Sequence, residues 1–102
     1  MFYQPLNNFL KQNIGKLVFG KWELSDFHLM DSDVGFIINL DAFFELYNGD
    51  REEINIVVNY RNQAGVDLLK CHTLTEDDKA DLKLKLESLG YKDVIIRDLS
   101  KH

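Results

Sequence analysis

Apolar positions along the chain follow two rhythms, and each rhythm predicts an element type. Leu6, Phe9, Leu10 and Ile14 recur at spacings of three and four, one stripe along a helix. Pro5 suits the first helical position, where a missing N–H costs nothing, and Gly15 supplies a left-handed stop. From Lys16 to Leu29 the spacing changes to alternation, with Leu17 and Phe19, then Trp22 and Leu24. Val18, Phe19, Trp22 and Phe27 favour strands. Gly20-Lys21 reads as a tight turn or a bulge, and the slip of phase between Leu24 and Phe27 predicts a bulge there. Asp31-Ser32-Asp33 is turn chemistry, and Val34 to Leu40 reads as the next strand.

Residues 40–48 carry both rhythms. Leu40, Phe43, Phe44 and Tyr47 lie at i, i+3, i+4 and i+7, and Asn48-Gly49 can end a helix, so the spacing predicts a helix. The competing prediction is a hairpin strand, because Asn-Gly between two apolar runs is a strong hairpin signal. A strand from Val34 to Tyr47 would be unusually long, which favours the helix.

Glu53 to Tyr60 is a strand, Arg61 to Gly65 a short loop, and Val66 to His72 the strand that pairs back. Thr75 starts a helix, with Asp78 three residues on completing a capping box. Glu76, Asp77 and Asp78 crowd the first turn, where the helix dipole favours negative charge. Leu82, Leu86 and Leu89 form one face, Gly90 closes the helix, and Tyr91 to Asp98 is the final strand. Leu84 sits about 160° from that leucine face. It is either a single exposed leucine or the contact of a homodimer.

Together these elements predict an α+β fold in which residues 1–102 form a single compact domain. Its sheet is mostly antiparallel with about five strands, and two or three helices pack on it, the first and last on one face. The helix-to-strand unit over 75–98 allows the last strand a parallel neighbour. The expected core is Phe9, Leu10, Leu17, Phe19, Trp22, Leu24, Ile37, Ile56, Val58, Leu82, Leu86, Leu89 and Ile95.

Composition narrows the class. Apolar residues are 45% and charged residues 28% of 102, an ordinary globular balance. No run of 18 apolar residues suggests a membrane helix, and Met1 to Leu10 lacks the basic start of a signal peptide. Cys71 is a lone cysteine, which fits a reducing cytoplasm. Twelve bases against 17 acids leave a net charge of −5, which counts against direct nucleic-acid binding. Lys79, Lys83, Lys85 and Lys92 form only a modest cluster, interspersed with Asp77, Asp78, Asp81 and Glu87.

Catalytic and metal chemistry find little support. His28, Cys71, His72 and His102 lack the paired spacing of a zinc site. Cys71 and His72 are strand neighbours, which point to opposite faces. Asp31 to Gly35 resembles the start of a calcium loop, but Phe36 stands where glycine and Ala42 where glutamate is required. Asp26 and His28 share a strand face as a carboxylate–imidazole pair, yet no nucleophile motif or phosphate-binding loop accompanies them. The sequence therefore predicts no catalytic residue, no cofactor and no metal.

The uneven placement of charge is more informative. Residues 1–22 carry three lysines and no acid; residues 59–102 hold eight bases and eight acids. Residues 23–58 hold nine acids against Arg51 alone, so the surplus is central. Glu23, Asp26, Asp31, Asp33, Asp41, Glu45, Asp50, Glu52 and Glu53 share that stretch with Tyr47 and four phenylalanines. These acids and Tyr47 are the expected contacts for a basic protein partner, because complementary charge speeds association and aromatics anchor interfaces. Grooves that grip nucleic acid are common surfaces of that sign. Bacterial immunity proteins against nuclease toxins, and phage inhibitors of defence nucleases, are of this physical type. The competing expectation is a structural or regulatory subunit without catalysis.

Overall fold

A computed structural model describes residues 2–19, 22–30, 36–45, 51–70 and 75–99. Its elements are α1 (Gln4–Gln12), β1 (Leu17–Phe19), β2 (Trp22–Met30), β3 (Ile37–Glu45), β4 (Arg51–Asn59), β5 (Gln63–Lys70), α2 (Glu76–Ser88) and β6 (Lys92–Asp98). The fold is α+β; the described residues form two helices and one six-stranded sheet in the order β1-β2-β3-β4-β5-β6. Neighbouring strands are antiparallel from β1 to β5, while β5 and β6 run parallel. The sheet is thus mixed, with six strands where about five were expected. Only α2, lying between β5 and β6, gives the chain the length to cross over and return in the same direction.

Strand alternation decides the inner face. Ile38, Leu40, Ala42 and Phe44 of β3, Ile54, Ile56 and Val58 of β4, and Ala64, Val66 and Leu68 of β5 all point inward. Leu6 and Leu10 of α1 and Leu82 and Leu86 of α2 join them in one buried cluster. Both helices therefore cover the same face of the sheet. Fully burying such a leucine contributes about 1.5–3 kcal/mol, so this cluster dominates the favourable side of folding.

Local signals set the helix ends. Pro5 stands in the first turn of α1, and Gly15, with φ of 81°, sends the chain into β1. The Thr75 hydroxyl accepts from the Asp78 N–H (3.2 Å) and the Asp78 carboxylate accepts from the Thr75 N–H (3.1 Å), the capping box expected for α2. Gly90 closes that helix with φ of 102°, a left-handed conformation that a side chain would strain. The following Tyr91 turns inward and ties the two helices together. Its hydroxyl donates to the Phe2 carbonyl (2.7 Å) and accepts from the Leu6 N–H (3.2 Å).

Residues 40–45 belong to β3 and not to a helix. Leu40, Ala42 and Phe44 are buried, while Asp41, Phe43 and Glu45 face outward, so the two-residue period wins over the helical one. Tyr47 and Asn48 lie outside the described residues, as do Gly20, Lys21 and residues 31–35. Three expected core residues are exposed: Leu17 at 65%, Ile37 at 41% and Ile95 at 63%. In each case the adjacent Val18, Ile38 or Val94 turns inward, because pairing to neighbouring strands fixes the phase. Phe9 and Leu89 are partly buried against the core, and nothing is described of the Phe19 and Trp22 side chains. Among the described residues, no helix is long and apolar enough to cross a membrane.

Candidate interaction face

The two helices leave the opposite face of the sheet uncovered among the described residues, and a bulge in β2 decides what that face carries. Leu24 pairs with Phe44 and Asp26 with Phe43, so Ser25 is the extra residue. Its hydroxyl donates to the Phe43 carbonyl (2.9 Å). Before the bulge Glu23 faces outward; after it Asp26, His28 and Met30 do, while Phe27 and Leu29 pack on the core. Without the extra residue Glu23 and Asp26 would occupy opposite faces.

Cross-strand pairing then brings the acids together. Glu23 lies opposite Glu45, Glu45 opposite Arg51, Asp26 opposite Phe43, and Phe43 opposite Glu53. His28 lies opposite Asp41, and Asp41 opposite Asn55. Five carboxylates thus surround the half-buried ring of Phe43. Arg51 is the one lysine or arginine on this face of β2–β4 among the described residues, and its guanidinium is 3.9 Å from Glu45.

Several of these groups are already positioned. The Asp26 carboxylate accepts from the Phe27 N–H (2.8 Å) and lies 3.4 Å from His28 Nε2. The His28 ring meets Phe43 edge-on at 5.7 Å. Asp41 Oδ1 accepts from the Asn55 amide at 2.7 Å. Glu23, Asp26, Glu45 and His28 are exposed, whereas Asp41 and Glu53 are half-buried.

Of the residues singled out by sequence, Glu23, Asp26, Asp41, Glu45 and Glu53 are gathered on this face. Glu52 is not: at 2% exposure it points into the core, alternating with Glu53. Asp31, Asp33, Tyr47 and Asp50 lie outside the described residues, as do Cys71, His72 and His102. Leu84 is on the outer side of α2, 64% exposed. No group of three or more histidines, cysteines or carboxylates among the described residues is arranged to hold a metal.

At the β6 end the same face is apolar and indented, a feature the sequence reading missed. A depression of about 400 Å³ is lined by Val57, Gly65, Asp67, Ile95 and Arg97. A second, of about 270 Å³, shares Val57, Gly65 and Ile95 and extends toward Asn59, Gln63 and Asp93. Gly65 makes the dip, since a methyl group there would touch nothing. Arg97 closes one side by gripping Asp67 with both Nε (2.8 Å) and Nη2 (2.9 Å). A glycine amid strand residues is the available signal; Gly65 lies within β5 and not at the end of the loop predicted over Arg61 to Gly65. Asp26 and His28 line neither depression, so the pair stands apart from the concave part of the face.

Compared with known proteins, the chain matches no family model, no curated protein and no solved structure.

Proposed function

We propose that this chain is an inhibitor-type binding protein whose uncovered sheet face docks on a basic protein surface. The nucleic-acid groove of a nuclease toxin or defence nuclease is the partner class that its charge favours. One observation carries the reading: Glu23, Asp26, Asp41, Glu45 and Glu53 surround Phe43 on a face that no described element covers. A field of one sign over such a surface raises the rate of encounter with an opposite field. Phe43 adds the apolar contact that charge alone does not provide. Blocking of this kind is steric and electrostatic and needs no catalytic group.

The test begins with capture of a partner from the native host and its identification by mass spectrometry. Binding is then measured with the purified partner against salt and against the variant Asp26→Lys/Glu45→Lys, both sites being exposed strand positions. The expected partner is basic, its association slows about tenfold or more in the variant and at high salt, and its nuclease activity falls on binding. A partner whose binding is indifferent to salt and to both substitutions overturns the reading.

A further inference from the structure

β6 is a seven-residue strand at one end of the sheet, whereas the opposite end is the three-residue β1. Among the described residues nothing pairs with the outer edge of β6. The Leu99 N–H bonds to the Leu68 carbonyl (3.0 Å), and the parallel register sets Leu68 beside Asp98 and Gly65 beside Ile95. By strand alternation the backbone groups of Val94, Ile96 and Asp98 turn away from β5, toward the free edge.

Charge on an edge strand ordinarily keeps it from pairing. Here one pair of charges is placed to mate with itself: Asp93, which accepts from the Gln63 amide (2.9 Å), and Arg97, which holds Asp67 within its own chain. Read against its own reverse about Ile95, the strand opposes Asp93 to Arg97, Val94 to Ile96 and Ile95 to itself. In this register Val94 and Ile96 each offer an outward N–H and C=O to the other, which is the hydrogen-bonded pair of an antiparallel ladder. Side-chain faces agree for the central residues: Asp93, Ile95 and Arg97 lie toward the uncovered side, while Asp98 lies 3.3 Å from Lys79 on the helix side.

We propose that the chain forms a two-fold homodimer through antiparallel pairing of β6 with β6 of a second copy, centred on Ile95. Such an interface is isologous, each unlike pair occurring twice about the axis. Ile95 loses its 63% exposure against its own copy. Because Ile95 also rims the depression at Gly65, the two depressions become continuous across the axis. Asp93, with φ of 53°, bends the start of the strand, so the regular ladder is short and the flanking ion pairs carry much of the selectivity. The dimer is correspondingly weak and salt-sensitive. It leaves the acidic surface on β2–β4 open in both copies and does not depend on the docking reading.

Sedimentation equilibrium of the chain alone tests it, in a concentration series up to about 1 mM, where weak association is populated. The expected result is a monomer–dimer equilibrium. Arg97→Glu and Asp93→Lys each set like charges against one another across the axis and weaken the dimer about tenfold. An equimolar mixture of the two variants restores opposite charges at both contacts and recovers a heterodimer near wild-type affinity. Circular dichroism confirms that each variant is folded. If one is not, Ile95→Lys, at an exposed position, replaces it and is expected to be monomeric. A strict monomer at about 1 mM, a dimer indifferent to these substitutions, or no recovery on mixing folded variants overturns the proposal.

Discussion

Tyr91 shows how much one side chain can decide. Its ring is buried at 3% exposure, and its hydroxyl bridges the Phe2 carbonyl and the Leu6 N–H. Replacing it with phenylalanine keeps the packing but leaves two backbone groups without their partner. We expect Tyr91→Phe to lose about 1–3 kcal/mol of stability, read from the urea midpoint. Burial, the larger influence, raises the Tyr91 hydroxyl above its ordinary range, and the hydrogen bond from Leu6 draws it partly back. The folded protein therefore holds this proton more tightly than the unfolded chain does. The associated stability is present below the unfolded tyrosine value, about 10, and is lost as pH rises through the folded one. Wild-type protein should thus lose stability above about pH 10 more steeply than Tyr91→Phe, and parallel slopes would refute that. At this scale the sequence was legible where one position was apolar and its neighbours polar. It misled where two apolar residues adjoin, as at Leu17-Val18 and Ile37-Ile38, because nothing local says which turns inward.

Among the elements, α2 and β2 were the most readable. The capping box over Thr75–Asp78 and the phase slip after Leu24 are local features, and each appears where the residues put it. β3 was not readable in the same way. Phe43 on its outer face meets the His28 ring edge-on, and this second aromatic made the run mimic a helical stripe. Whether such a ring is half-buried depends on the neighbouring strand, which lies at a distance in sequence. The β2–β3 pairing also contains a local conflict, because Glu23 faces Glu45 directly across the ladder. Like charges so placed are destabilising. We expect Glu23→Lys to raise stability by about 0.2–1 kcal/mol in thermal or urea unfolding, while slowing association with a basic partner. A variant both more stable and equally able to bind would remove Glu23 from the docking surface.

For the whole molecule, the sequence located the excess acid in residues 23–58, and the sheet resolves it into two directions. Alternation sends Glu52 inward and Glu53 outward, and the β2 bulge brings Asp26 to the side of Glu23. The pattern along the chain held that information only once strand phase was known. The depression at Gly65 was less legible still, since Val57, Gly65 and Ile95 come from three strands and meet only through the parallel placement of β6.

Tyr91 also bears on the order in which the molecule assembles. Its bonds to Leu6 and Phe2 span 85 and 89 residues, whereas strands β2 to β6 each pair with the strand before them in sequence. Closing so long a loop is slow compared with joining adjacent hairpins. We therefore expect the first helix of the chain to be secured late, once α2 delivers Tyr91 beside it. Native-state hydrogen exchange should find α1 opening at lower free energy than β3 and β4, and equal protection would deny it that place in the sequence of events.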